Sequence, residues 1–581
     1  MSIALYFPSA VLRSTTAKVL LTAISASILS TASWGNDRSP PQAIPIGSHK
    51  QLFLGPWTAD GRDAHLVDSM QGVTMTMNEA RVTGERLLDL DRPWESAGHP
   101  DTWMYPRSWV LKDGDLFRMY YAVFPRYPLA HHFTCYAESR DGIHWEKPSL
   151  GVLTWDESKD NNIVLPNDEF AYRVTDAVGA TVFIDPNAKS PAEKYKLLVL
   201  METSHGDGYQ SPGKDLPKVR KGQYAFSSPD GIHWQLMYQG RVNPGANDTQ
   251  FSVFWDDGIN QYVSYTRIKR EVPGLAEYYE ALHRQRYGED SNFEGLRRER
   301  SVGRMVSDDF IHWREETQVI APDATDNAHL PADLPRRLDF YGGNVVKYSE
   351  APGAYIALPN AFYHWKLDQF DDYPIQYWTK TRYLPSTMDV QLMTSRDGIH
   401  WNRAPDRKPF IRLGPEGSFW SKTIWPSNVI RDGNELWIYF IGLDVAHSLD
   451  QDRRLKDVLD REKPHKGSHG RTVIRLDGFI SADATYTGGE LITKPLIFEG
   501  ERLYLNVDTS AGGTVRVEMQ DASGQAIEGF TVADSDEING NYTRVAVSWN
   551  DSSDVSALAG RAVRLRFVMR DCKLYSFQSS K

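Results

Sequence analysis

The sequence predicts an all-β protein, a five-bladed β-propeller followed by a C-terminal β-sandwich. Three observations carry this expectation. Asp-Gly-Ile-His-Trp, once with Phe in place of Gly, recurs at 141–145, 230–234, 309–313 and 397–401. Its tryptophans are 89, 79 and 88 residues apart, too far for a solenoid coil but suited to a propeller blade enlarged by loops. The same order of short apolar strands surrounds each copy. From about Leu476 the texture changes to alternating strands separated by polar turns, the pattern of a sandwich.

Taken in order, the N-terminus reads as an export signal. Arg13 and Lys18 precede an apolar run over 19–29, and Ser30-Thr31-Ala32-Ser33 offers a cleavage site. Residues 1–34 are thus expected to be a signal peptide and the protein periplasmic or secreted. No cysteine lies near the site for lipid attachment, and no other stretch is long and apolar enough to span a membrane. Residues 35–49 are polar and Pro-rich, a linker by composition.

The propeller is expected over 50–475. First strands end in turns at Asp113-Gly114, Asp185-Pro186, Asp257-Gly258, Tyr348 and Asp432-Gly433. Second strands follow at 117–121, 195–201, 262–265, 355–358 and 436–440. Third strands include 136–138 and 224–226, and Ser-x-Asp-Gly then turns the chain into a fourth strand begun by the Trp. The fifth unit lacks the Ile-His-Trp turn. These turns are read as structural, with their histidines on the outer rim. Two charged insertions, 267–300 and 444–471, are candidates for lids or subunit contacts. The sandwich is expected over 476–581, bracing the propeller.

Composition narrows the function. With 65 Lys and Arg against 76 Asp and Glu, the net charge of −11 argues against nucleic acid as a partner. The only cysteines, Cys135 and Cys572, are read as two buried thiols, too few for a cysteine metal site. The 17 Trp, 28 Tyr and 23 Phe suit blade packing and sugar stacking alike.

In a propeller the entry end of each first strand faces the central cavity. Asp101, Asp176, Asp248 and Asp339 lie 12, 9, 8 and 9 residues before Asp113, Asp185, Asp256 and Tyr348. Clustered carboxylates repel, so some hold a proton while others stay ionised. Glycoside hydrolysis uses that division, one acid protonating the leaving oxygen and one carboxylate activating water or attacking carbon. Glu202, where a second strand exits on the same face, is a candidate general acid, and so is Glu95, before the first unit; Glu95 is also a candidate substrate contact. His99, Arg107, Arg173 and Arg267 fall near the predicted cavity, where arginines offset carboxylate charge or hold an anionic substrate. His364 is placed as a sugar contact or proton donor. Trp103, Trp420 and Trp425 are candidate stacking platforms, with core packing the commoner role for each. No cofactor is required, although axial aspartates could also hold a structural calcium ion.

Pro93-Trp94-Glu95, Phe117-Arg118-Met119-Tyr120-Tyr121, the Ser139-to-Pro148 run, Asp160-Asn161-Asn162-Ile163-Val164-Leu165, Asp248-Thr249-Gln250 and the segment from Gly488 to Gly500 carry a family likeness. The chain resembles the five-bladed propeller glycosidases of families 32, 43, 68 and 117, and among them bacterial family-32-like hydrolases with a C-terminal β-sandwich. The resemblance implies Asp101 as nucleophile or base, Asp176 as orienting carboxylate, and a third acid. Departures are a missing Trp-Met-Asn-Asp-Pro-Asn, a missing Arg-Asp-Pro, and Asp248 where those families carry glutamate; these weaken fructan as substrate. The reading is an exo-acting glycoside hydrolase cleaving terminal furanoside or anhydrogalactose residues from poly- or oligosaccharides. Its rivals are a carbohydrate-binding propeller without turnover and a glycoside phosphorylase.

Overall fold

The computed structural model describes residues 42–95, 104–123, 132–167, 176–202, 219–243, 251–274, 298–314, 316–328, 338–364, 386–444 and 467–580, with scattered positions over 276–284. They belong to one compact unit, 42–581. Strand dominates: Ala324–Ala328 is a short α-helix, and the described part of 276–284 is partly helical. No described helix is long and apolar enough to cross a membrane.

Five four-stranded groupings follow the predicted units. Sheet I pairs Met104–Asp113, Leu116–Val123, Phe133–Ser139 and Ile163–Leu165 in that order. Sheet II pairs Asp176–Ile184, Tyr195–Glu202, Gly222–Ser228 and Gln235–Leu236. Sheet III pairs Ser252–Asp256, Gln261–Glu271, Arg298–Ser307 and Thr317–Ile320. Sheet IV pairs Val345–Lys347, Tyr355–Ala357, Met393–Ser395 and Asn402–Arg403. In sheet V, Thr423–Asp432, Glu435–Leu443 and Ser468–Arg475 are joined by Arg81–Val82. That outer strand comes from the other end of the chain. Sheet V therefore needs no hairpin after its third strand, which explains the missing Ile-His-Trp turn. Leu338–Phe340, Asn360–His364 and Ser386–Val390 extend sheet V on the side of its first strand.

First strands touch in cyclic order: I meets II, II meets III, III meets IV, IV meets V, and V meets I. Hydrogen bonds run across several of these junctions. The Val110 N–H donates to Ser427 Oγ at 3.0 Å, and the Val345 N–H to Ser252 Oγ at 2.7 Å. Thr134 Oγ1 donates to the Ala177 carbonyl at 2.7 Å.

The outer hairpins explain the repeat. In each, one Asp oxygen accepts two backbone N–H groups and the other accepts the His ring; for Asp141 the partners are Ile143, His144 and His144 Nδ1 at 2.8, 2.8 and 2.7 Å. The His144 ring bond first, then these N–H groups, hold the Asp141 carboxyl below its ordinary range. The following Gly lets the preceding sheet dock. Tyr439, Tyr120 and Tyr265 donate through their hydroxyls to the carbonyls of Gly142, Gly231 and Gly398 at 2.9, 2.9 and 2.7 Å. A Cβ on those glycines would lie 2.5, 2.7 and 2.5 Å from the hydroxyls. At the fourth hairpin the pair is inverted. Leu198 stands where the tyrosines stand, and Phe310, buried in the same cluster, fills the space. There the Trp313 indole donates to the Phe310 carbonyl at 3.1 Å.

Two expectations are corrected. In sheet I the fourth strand is Ile163–Leu165, not one beginning at Trp145: only Glu146 bridges to Glu138, and Pro148 lacks the N–H to extend that pairing. The domain bounds also change. Ile44–Gly47, inside the expected 35–49 linker, runs parallel to Leu496–Phe498. Val67–Gln71 pairs Gly489–Thr493, Val73–Met77 pairs Ile480–Ala484, and Gln51–Leu52 pairs Cys572–Ser580. Two six-stranded sheets thus draw strands from both chain ends and share one core containing Leu505, Val517, Phe567 and Phe577. Composition marks a polar segment but cannot reveal a partner some 450 residues away, because the pairing is decided by the edge available. Asp477 ties the sandwich to sheet IV: its buried carboxylate accepts Tyr348 Oη at 2.7 Å, Ser576 Oγ at 2.7 Å and Asn506 Nδ2 at 3.1 Å, and pairs with Lys50. Cys135 and Cys572 are free, buried thiols.

Candidate active site

Of the four sequence-predicted carboxylates, Asp176 opens a first strand, while Asp339 lies on Leu338–Phe340, beside sheet V and not at the start of the first strand of sheet IV. Asp176 opens the first strand of sheet II and is the register partner of Glu202, the last residue of the second strand. Two acidic positions are thus direct register partners in one antiparallel pair. Glu202 is partly exposed and takes Lys221 Nζ at 2.8 Å. Asp101, Asp248, His99, Trp103 and Arg173 lie outside the described residues. For His364 the backbone is described, at the end of Asn360–His364.

A second group joins sheets I, III and V through alternating cations and rings. Arg107, on the first strand of sheet I, lies over Trp425 of sheet V at 4.9 Å. Trp425 meets the edge of Tyr341 at 5.1 Å. Arg267 and Arg300 of sheet III lie over Tyr341 at 5.0 and 4.6 Å. Asp339 accepts the Arg300 backbone N–H at 2.9 Å and its Nη1 at 2.8 Å. Arg107, Arg267, Arg300, Asp339, Tyr341 and Trp425 are all buried. In this dry setting each cation–ring contact is worth about 1–2 kcal/mol. Four residues predicted near the cavity, Arg107, Arg267, Asp339 and Trp425, are therefore brought together. Tyr341 and Arg300 were missed, although Tyr341 sits two residues from Asp339 and could have been found as the next same-face position of a strand.

Two predicted contacts are placed elsewhere. Glu95 is buried, and both its oxygens are taken: Tyr121 Oη and Lys147 Nζ donate to it, the latter at 2.8 Å, and so do the backbone N–H groups of Asp91 and Arg92 at 2.9 Å. It closes the loop before sheet I. Trp420 is wedged between Phe419, ring centroids 4.8 Å apart, and Gly442, whose Cβ position lies 2.6 Å from it. Trp425 is buried, with its rings covered by Arg107 and Tyr341, and presents no open face for stacking, whereas Trp420 is half-buried.

The repeated histidines are far from this chemistry. His144, His233, His312 and His400 have side chains 86%, 65%, 80% and 86% exposed. Among the described residues no group of three or more His, Cys, Asp or Glu could hold a metal ion.

No family model matches the chain, and no curated protein matches it. Solved structures do. An arabinoxylan arabinofuranohydrolase of glycoside hydrolase family 43 from Bacillus subtilis is 10% identical, covering 83% of this chain and 96% of its own, with a TM-score of 0.35. A β-1,2-mannobiose phosphorylase from Listeria innocua is 12% identical over 69% of this chain and 98% of its own, TM-score 0.39. An N-acetylgalactosamine deacetylase from F. plautii, in complex with blood group B trisaccharide, is 14% identical over 75% and 97%, TM-score 0.37. The chain is similar to carbohydrate-active proteins, glycoside hydrolases among them.

Proposed function

We propose that the chain is an exported glycoside hydrolase on a five-bladed propeller, removing terminal furanoside or anhydrogalactose sugars from poly- or oligosaccharides. The observation that carries this reading is the Asp176–Glu202 register pair at the entry end of an inner strand, within five sheets whose inner strands touch in a closed cycle. Asp101 and Asp248 belong to equivalent positions in the sequence of units I and III. In this mechanism Glu202 protonates the leaving oxygen once substrate displaces Lys221, and Asp101 attacks the anomeric carbon or activates water, with Asp176 and Asp248 supporting the developing positive charge.

The test is reducing-sugar release from fructans, arabinans and algal galactan oligosaccharides. Asp101→Asn, Asp176→Asn and Asp248→Asn should each lower kcat by at least about a hundredfold, Glu202→Gln by about 10²–10⁴, with thermal melting retained. Cleavage that survives all four substitutions would remove the site. Turnover that depends on inorganic phosphate would replace hydrolysis by phosphorolysis.

A further inference from the structure

Away from the inner strands, an open cleft of about 620 Å³ separates sheet V from the sandwich. One wall is Arg81 on the outermost strand of sheet V, and the other is Asn541–Ala546, the edge strand of one sandwich sheet. Val473 and Ile474, both buried, make an apolar floor. Tyr542, 41% exposed, is an accessible ring at its mouth.

The charge in the cleft runs against that of the chain. Arg81, Arg475 and Arg544 line it against a single carboxylate, Glu435, whose Oε2 already accepts the Trp437 indole at 2.9 Å. Arg475 is fixed in place: it donates to Asn506 at 2.7 Å, Val507 O at 3.3 Å and Asn541, and lies over Tyr575 at 4.9 Å. Arg544 is held by the Tyr504 ring and by Ser580 Oγ at 3.0 Å. Arg81 is exposed, with no ion pair among the described residues. The cations are thus preorganised beside an aromatic face and side-chain amides, in a protein of net charge −11. Guanidinium forks suit planar or tetrahedral oxyanions, and an aromatic ring beside hydrogen-bonding groups suits a sugar face.

We propose that this cleft is an accessory binding site for an anionic polysaccharide, bearing carboxylate or sulfate groups, which tethers the protein to its substrate polymer. The proposal rests on the carbohydrate reading above, but its ligand is the polymer chain and not the cleaved terminal sugar.

The experiment is native affinity electrophoresis of the full-length protein in gels containing polygalacturonate, a sulfated galactan, or a neutral galactan. The wild type should be retarded by at least one acidic polymer and not by the neutral one, and the two acidic gels identify the anion. Tyr542→Ala and the exposed, conservative Arg81→Gln should each weaken retardation about three- to tenfold, and Arg81→Glu more. Raising salt from 50 to 500 mM should abolish it. Melting temperature and turnover of a short soluble oligosaccharide should be unchanged in the variants. Absence of retardation by both acidic polymers, or equal retardation of wild type and variants, overturns the proposal. Retardation without turnover of any glycan would sink the hydrolase reading and leave the cleft; turnover without retardation would sink the cleft alone.

Discussion

The outer hairpins and the inner strand ends of the same sheets use sequence in opposite ways. Each hairpin repeats one solution: an Asp that gathers two N–H groups and an imidazole, and a residue that must fit the tyrosine or leucine of the preceding sheet. The acidic residues read from the sequence at 176 and 339 sit in different surroundings. Asp176 faces Glu202, whereas Asp339 is bound by Arg300. The difference teaches that a repeated residue in a repeated environment reports packing, and that chemistry is to be sought where the environment of a repeated residue diverges.

Substitutions can break or sharpen this contrast. The largest stability loss is expected at the loop before sheet I. Lys147→Met leaves the buried Glu95 carboxylate without its cation and should cost about 3–5 kcal/mol, read as a lower urea midpoint with KM unchanged; a raised KM at full stability would return Glu95 to the substrate site. Phe310→Gly empties a buried aromatic site and should cost about 3–5 kcal/mol. Leu198→Tyr combined with Phe310→Gly should recover part of that loss, as the other three junctions do, and a double variant no more stable than Phe310→Gly would refute the size exchange. Gly398→Ala drives a Cβ into Tyr265 Oη at a positive φ of 69° and should cost about 1–3 kcal/mol.

Acid should expose the hairpins next. Burial opposes ionisation of Asp397, yet the His400 ring and two backbone N–H groups hold its carboxyl at about 2, below the ordinary 3.8. A depressed folded pKa contributes stability that is present above the unfolded value and is lost as pH falls from about 4 towards 2. Asp397→Asn should therefore flatten the acid limb of the melting curve in that window; an unchanged limb would deny the capping role. His400→Ala, at an exposed ring, should cost under about 0.5 kcal/mol and leave turnover untouched. A chelator should change neither stability nor turnover, and loss of glycan binding on chelation would favour a calcium-dependent lectin.

Much of the fold was legible because its signals are local. Asp-Gly followed by a Trp marks a hairpin through backbone needs that no tertiary context alters, and the apolar strands before it recur in the same order. The strand that completes sheet V was not legible. Arg81–Val82 is two residues long and pairs with a strand nearly 400 positions away, so nothing in its neighbourhood names its partner. The same holds for the N-terminal strands of the sandwich.

The all-β class, the hairpin positions and the two buried thiols follow from the amino-acid sequence alone, since each rests on backbone propensity, on spacing within a unit or on residue type. The tertiary fold was needed to show that Glu95 is an ion-paired loop anchor, that Trp425 is covered, that Tyr341 collects two arginines, and that both chain ends build one sandwich. Those outcomes depend on which side chains from distant segments share a volume and cancel each other's charge, and that information exists only once the chain has closed.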